Sequence, residues 1–114
     1  MPEYVQVQVA VDDRATAAAL ARSAVEARLA ACAQIVGPMT SVYRWKGEIE
    51  TAEEFLLLVK TTRERSGELT EHIRRGHPYE TPEIIALPIE GGLGAYLRWI
   101  GEETAPVPAE PREP

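Results

Sequence analysis

The chain has 114 residues, a length that suits one domain. Its hydrophobic fraction of 45 % allows a core, and that core must be mainly aliphatic because aromatic residues are only 6 % of the chain. A formal charge of -6 disfavours nucleic acid and anionic lipid as partners, and a single cysteine excludes an intramolecular disulfide or a zinc cage of several thiolates.

The N-terminus passes almost directly into alternating valines, with no basic region and no signal-like apolar core. Phe55 to Val59, the longest purely aliphatic and aromatic run, is too short to cross a bilayer. The expectation is a cytoplasmic protein that engages neither membrane nor nucleic acid.

Tyr4 to Val11 reads as a strand, with Val5, Val7, Val9 and Val11 on one face and Gln6 and Gln8 between them. Asp12 and Asp13 offer an N-cap for a helix from Arg14 to about Leu29. Ala17, Leu20, Ala21 and Ala24 form its apolar stripe, and their small size lets it approach a sheet closely. Ala33 to Thr62 reads as a hairpin turning at Lys46-Gly47, bent by Gly37-Pro38, with arms of roughly a dozen residues against the usual five or six. Arms that long leave edges to be covered, and pairing with another subunit covers them most simply.

Thr61 and Glu64 have capping-box spacing ahead of a helix over Arg63 to Arg75, with Leu69 and Ile73 facing the core and Gly76 as its C′ residue. Glu83 to Ile89 reads as a fourth strand and Leu93 to Ile100 as a short last helix. From Gly101 on, four prolines and four glutamates in 14 residues predict disorder. The order β-α-β-β-α-β plus a helix is the ferredoxin-like α+β pattern, an antiparallel sheet with helices on one face.

Four separate stretches carry a resemblance. They are Arg28 to Ala33, Ser41-Val42-Tyr43-Arg44-Trp45-Lys46-Gly47-Glu48-Ile49, Leu57 to Thr62, and His77-Pro78-Tyr79-Glu80-Thr81-Pro82-Glu83 with Ile84 to Ile89. In this order the chain resembles the CutA divalent-cation tolerance proteins, over roughly Val5 to Glu102. The resemblance implies a ferredoxin-like domain over residues 1–103 that assembles into a tight homotrimer shaped like the PII signalling proteins, with a Pro/Glu-rich tail over 104–114. It also implies a non-enzymatic role in tolerance of copper and other divalent cations, with copper(II) as the ligand to test. The alternative is a PII-like scaffold that binds a small anion or a protein partner in a cleft between subunits.

The candidate metal ligands are His77 and Cys32. Imidazole and thiolate both suit copper, and the prolines around His77 hold it in an extended connection. Each has a plainer reading: Cys32 as a small buried hydrophobe, His77 as a ring bonded to a carbonyl near the helix end. Relatives can carry a histidine where this chain has Gly76 and a cysteine where it has Val9.

Tyr79, Glu80 and Glu83 flank the same connection, where carboxylates could ligate a hard cation or orient an imidazole. Lys60 ends an apolar strand and could meet an anion, or Glu83 across a cleft. Trp45 at the hairpin tip calls for burial against another subunit, and His72 reads as a solvated helix residue. No nucleophile–base–orienter series and no phosphate-binding glycine loop points to catalysis.

Overall fold

The alternating valines of β1 (Tyr4–Val11) are buried along one side of the strand, which lies inside a four-stranded sheet of order β2 (Cys32–Trp45), β3 (Glu48–Thr62), β1, β4 (Ile84–Ile89). The structure is a computed structural model that describes residues 3–106. The helices are α1 (Arg14–Glu26), α2 (Arg63–Gly76) and α3 (Gly94–Thr104), in the chain order β1-α1-β2-β3-α2-β4-α3. Every strand pairing is antiparallel, and β1 pairs with both β3 and β4. This is the α+β ferredoxin-like arrangement expected from the periodicities.

The core lies between one sheet face and helices α1 and α2. Val5, Val7, Val9 and Val11 meet Leu57 and Val59 from β3, Ala17, Leu20 and Ala24 from α1, and Leu69 and Ile73 from α2. Fully burying each Val, Leu or Ile contributes about 1.5–3 kcal/mol. Among the described residues, nothing covers the opposite sheet face in this way along its length. Val36, Ile85 and Leu87 remain exposed there, beside half-buried Leu56 and Leu58. α3 packs across one end of the sheet, with Gly101 against the Tyr4 ring and Tyr96 against Cys32.

Several boundaries differ from the sequence expectations. α1 stops at Glu26 rather than near Leu29 because Arg28 adopts a left-handed conformation at φ 59. Leu29 N–H then donates to Ala24 O at 3.1 Å and Arg28 N–H to Val25 O at 3.0 Å, the paired bonds of a Schellman termination. The Arg28 guanidinium in turn reaches the α3 carbonyls of Glu102 and Ala105.

The cap of α2 is Thr62, not Thr61: the Thr62 hydroxyl accepts from Arg65 N–H at 3.3 Å, while Thr61 points into the core with its hydroxyl unbonded. Gly76 is the last helical residue of α2, and the cap position belongs to His77. α3 continues through Thr104, whose buried hydroxyl donates to Ile100 O at 2.8 Å. The expected tail over 104–114 falls, from Val107 onward, outside the described residues.

The two hairpin arms have 14 and 15 residues, longer than expected, and give the chain a 60 Å long axis. The register shifts between Val36 and Met39, which is the predicted bulge at Gly37-Pro38. Gly37 has φ +149, and a Cβ there would stand 2.8 Å from Phe55 Cδ1. Glycine is therefore required at the bend by conformation and by space together.

Candidate functional site: an acidic aromatic cleft beside the His77–Glu83 connection

α2 ends at Gly76, and Pro78 holds the next stretch extended. His77 takes φ -83 and ψ 136 and turns its ring inward to only 8 % exposure. Tyr79 N–H donates to His77 Nδ1 at 3.1 Å, so Nδ1 is unprotonated and the proton sits on Nε2. Nε2–H then donates to Ala10 O, 2.8 Å away at the end of β1. Both ring nitrogens are committed. His77 fastens the connection to the central strand and aims Tyr79, whose ring meets the imidazole edge-on at 4.7 Å.

Tyr79 crosses to the hairpin, where its hydroxyl donates to Glu54 Oε2 at 2.9 Å. Burial, reinforced by the Glu54 carboxylate, pushes the Tyr79 phenol well above its ordinary range. Glu54 is 7 % exposed and has no Lys, Arg or His partner among the described residues. Beside this pair opens a cleft of about 590 Å³ between the hairpin and the connection. Tyr43, Trp45, Glu54, Tyr79, Glu80 and Glu83 supply its chemistry, and among the described residues no cationic side chain lines it.

The sequence-derived candidates thus divide. Tyr79, Glu80, Glu83 and Trp45 come together around the cleft. Cys32 and Lys60 do not, because the register pairs Cys32 with Lys60 and Lys60 with Gln6, four residues before Ala10 on β1. Strand spacings put the Cys32 backbone roughly 15 Å from that of Ala10. Lys60 bonds Gln34 Oε1 at 2.7 Å and not Glu83. Cys32 Sγ lies 3.4 Å from the Tyr96 hydroxyl, and that hydrogen bond, with some burial, pushes the Tyr96 phenol up to about 12. His72 bonds the Ser23 hydroxyl between α1 and α2 at 2.7 Å.

Glu54 and Tyr43 were not singled out from the sequence. The one available signal for Glu54 was a carboxylate adjoining the apolar run that begins at Phe55. Among the described residues no three His, Cys, Asp or Glu side chains are grouped closely enough to hold a metal ion within one subunit. His77 with Cys32 does not fit a single-subunit centre. The cleft carboxylates do offer the oxygen donors a divalent cation uses.

Comparison with known proteins settles the lineage. A family model described as CutA1 divalent ion tolerance protein matches residues 5–103. The chain belongs to the CutA divalent-ion tolerance family. It is 47 % identical over 98 residues to a divalent-cation tolerance protein CutA of Thermus thermophilus, covering 86 % of this chain and 95 % of that one. A CutA homolog of Xenopus laevis is 47 % identical over 83 residues, covering 73 % of this chain but only 55 % of the longer relative.

Among solved structures, the T. thermophilus Cut A1 protein superposes with a TM-score of 0.85 at 46 % identity, over 92 % of this chain and 100 % of that one. CutA of Xylella fastidiosa gives 0.87 at 35 % identity, over 90 % and 98 %. No helix among the described residues is long and apolar enough to cross a membrane.

Proposed function

We propose that this protein is a non-enzymatic, homotrimeric module that binds divalent cations in the cleft beside the His77–Glu83 connection. The observation that carries the reading is the lining itself: Glu54, Glu80 and Glu83 border one cavity with no cationic side chain among its described lining residues, and since they are not grouped closely enough to hold an ion within one subunit, a second subunit would complete the site. A carboxylate as buried as Glu54 is costly without a counter-charge, and a bound cation supplies one. Copper(II) is the ion proposed to bind tightest, since it leads the divalent series at nitrogen and oxygen sites.

His77 contributes chiefly by holding the connection, and it can ligate only if Nδ1 releases the Tyr79 N–H. Cys32 lies outside the cleft, against Tyr96.

Trimerisation is favoured by the uncovered sheet face and by the hairpin, where Val42 and Ile49 are 68 % and 67 % exposed. The same surface supports a second reading, a PII-like scaffold for a protein partner, whereas the acidic cleft argues against a small anion. A cytoplasmic location is part of the proposal; relatives include a chloroplastic CutA of Arabidopsis thaliana and a periplasmic CutA of Archaeoglobus fulgidus.

Calorimetric titration of metal-stripped protein with copper(II) tests the reading, beside His77→Ala, Cys32→Ala and Glu54→Gln. Saturable binding weakened by Glu54→Gln is expected. Binding unchanged in all three variants sends the argument to the scaffold reading.

A further inference from the structure

The long hairpin leaves the body of the protein at one level. β1 pairs with β3 only as far as Phe55, opposite Val11, so Glu48 to Glu54 have β2 alone as a strand neighbour. The register shift between Val36 and Met39 falls at the same level. Among the described residues, two side-chain hydrogen bonds tie the projecting part, from Gly37 to Glu54, back to the body. One runs from the Tyr79 hydroxyl to Glu54, and the other comes from Arg14.

Arg14 is the first residue of α1. A cation there meets the positive end of the helix dipole, which is an unfavourable place for it. Its side chain reaches instead to the root of the hairpin. Nη2–H donates to Gly37 O at 3.2 Å, and the guanidinium lies over the Phe55 ring, 4.8 Å from the centroid. One planar group thus grips the bend of β2 and the facing ring of β3 together. The two arms are in close contact at this point, where a Cβ on Gly37 would stand 3.1 Å from Glu54 O. Successive strand residues face opposite ways, so Phe55 packs on the core side while Glu54 meets Tyr79.

We propose that Arg14 is a positioning residue for the cleft: from the start of α1 it holds the hairpin at its root, and so fixes Glu54 relative to Glu80 and Glu83 on the connection. This deepens, and rests on, the reading of the cleft as a cation site. The grip lies at the root and on the helix side of the sheet. Val42 and Ile49, the exposed residues assigned to the trimer contact, lie farther out along the arms. Arg14 therefore acts inside one subunit, and the angle it sets governs how the projecting arms meet the next.

The test is residue-resolved amide exchange on the full chain, metal-stripped and held in chelator, with Arg14→Ala and Arg14→Lys. Arg14→Ala should accelerate exchange about fivefold at Glu54 and at Tyr79, neither of which Arg14 bonds, while Val7 in the core of β1 keeps its rate. Arg14→Lys keeps a cation and one donor, and should return Tyr79 to within about twofold of the parent chain. In the copper titration, Arg14→Ala should weaken binding about fivefold with all three carboxylates in place.

Acceleration confined to α1 and Gly37 overturns the proposal, since the contact would then be local. Acceleration that includes Val7 overturns it as well, since the loss would then be general stability. Copper affinity unchanged in Arg14→Ala also overturns it. A parent chain that binds no copper discards the cation reading, while the exchange data, taken without metal, still decide whether Arg14 holds Glu54 against Tyr79.

Discussion

Replacing His77 by alanine removes the fastener of the cleft, and its cost can be worked from the contacts. The ring makes two hydrogen bonds, a buried one to Ala10 O at 2.8 Å and a partly buried one from Tyr79 N–H at 3.1 Å. Each contributes about 1 kcal/mol net. Truncating a buried imidazole also leaves a void and ends the edge-on contact with Tyr79, for about 1–2 kcal/mol more. His77→Ala should therefore lower the unfolding free energy by about 3 kcal/mol. The assay is urea denaturation of both proteins at one fixed concentration, because association adds to apparent stability. Amide exchange at Tyr79 should accelerate well beyond that in the core of β1. A loss below about 1 kcal/mol, or unchanged exchange at Tyr79, would refute the fastening role. The same coupling means that lost copper binding in His77→Ala does not by itself make His77 a ligand, which is why Glu54→Gln belongs in that titration.

Further outcomes follow from other contacts. Thr61→Val removes a buried, unbonded hydroxyl while keeping its shape, and should raise stability by about 1 kcal/mol in the same denaturation assay. Tyr79 and Tyr96 both have phenols raised above the usual value of about 10, so their stabilising contribution is complete below that pH and declines as pH rises through the folded values. Absorbance at the tyrosinate band should show Tyr96 ionising near pH 12 and Tyr79 ionising late, well above the usual phenol range. Arg28→Ala keeps the left-handed backbone cost and removes the bonds to Glu102 and Ala105, so it should cost about 1–2 kcal/mol and speed amide exchange in α3. Trp45→Asp places a charge on the hairpin wall and should shift sedimentation equilibrium toward smaller species. A wild-type protein that sediments as a monomer at micromolar concentration would end the trimer proposal.

Element order and buried faces were legible without coordinates. Strict alternation of valines across Tyr4–Val11 and the spacing of Ala17, Leu20, Ala24, Leu69 and Ile73 are local periodicities, and each defines the face that must leave water. Glycine with proline at positions 37 and 38 likewise announced the bulge, because their backbone restrictions are intrinsic. The composition of the His77–Glu83 connection marked where the site would be. Other features needed the fold. Arg28 closes α1 in a conformation usually left to glycine, and its guanidinium bonds to α3 lie more than seventy residues away in the chain. Thr62 rather than Thr61 caps α2 because the strand register sends Thr61 into the core, a choice that neighbouring identical residues cannot encode. The pairing of Tyr79 with Glu54 and the separation of Cys32 from His77 were likewise decided by tertiary structure. Each depends on which strand rows lie side by side, and that register is set by nonlocal packing that no local pattern of residues contains.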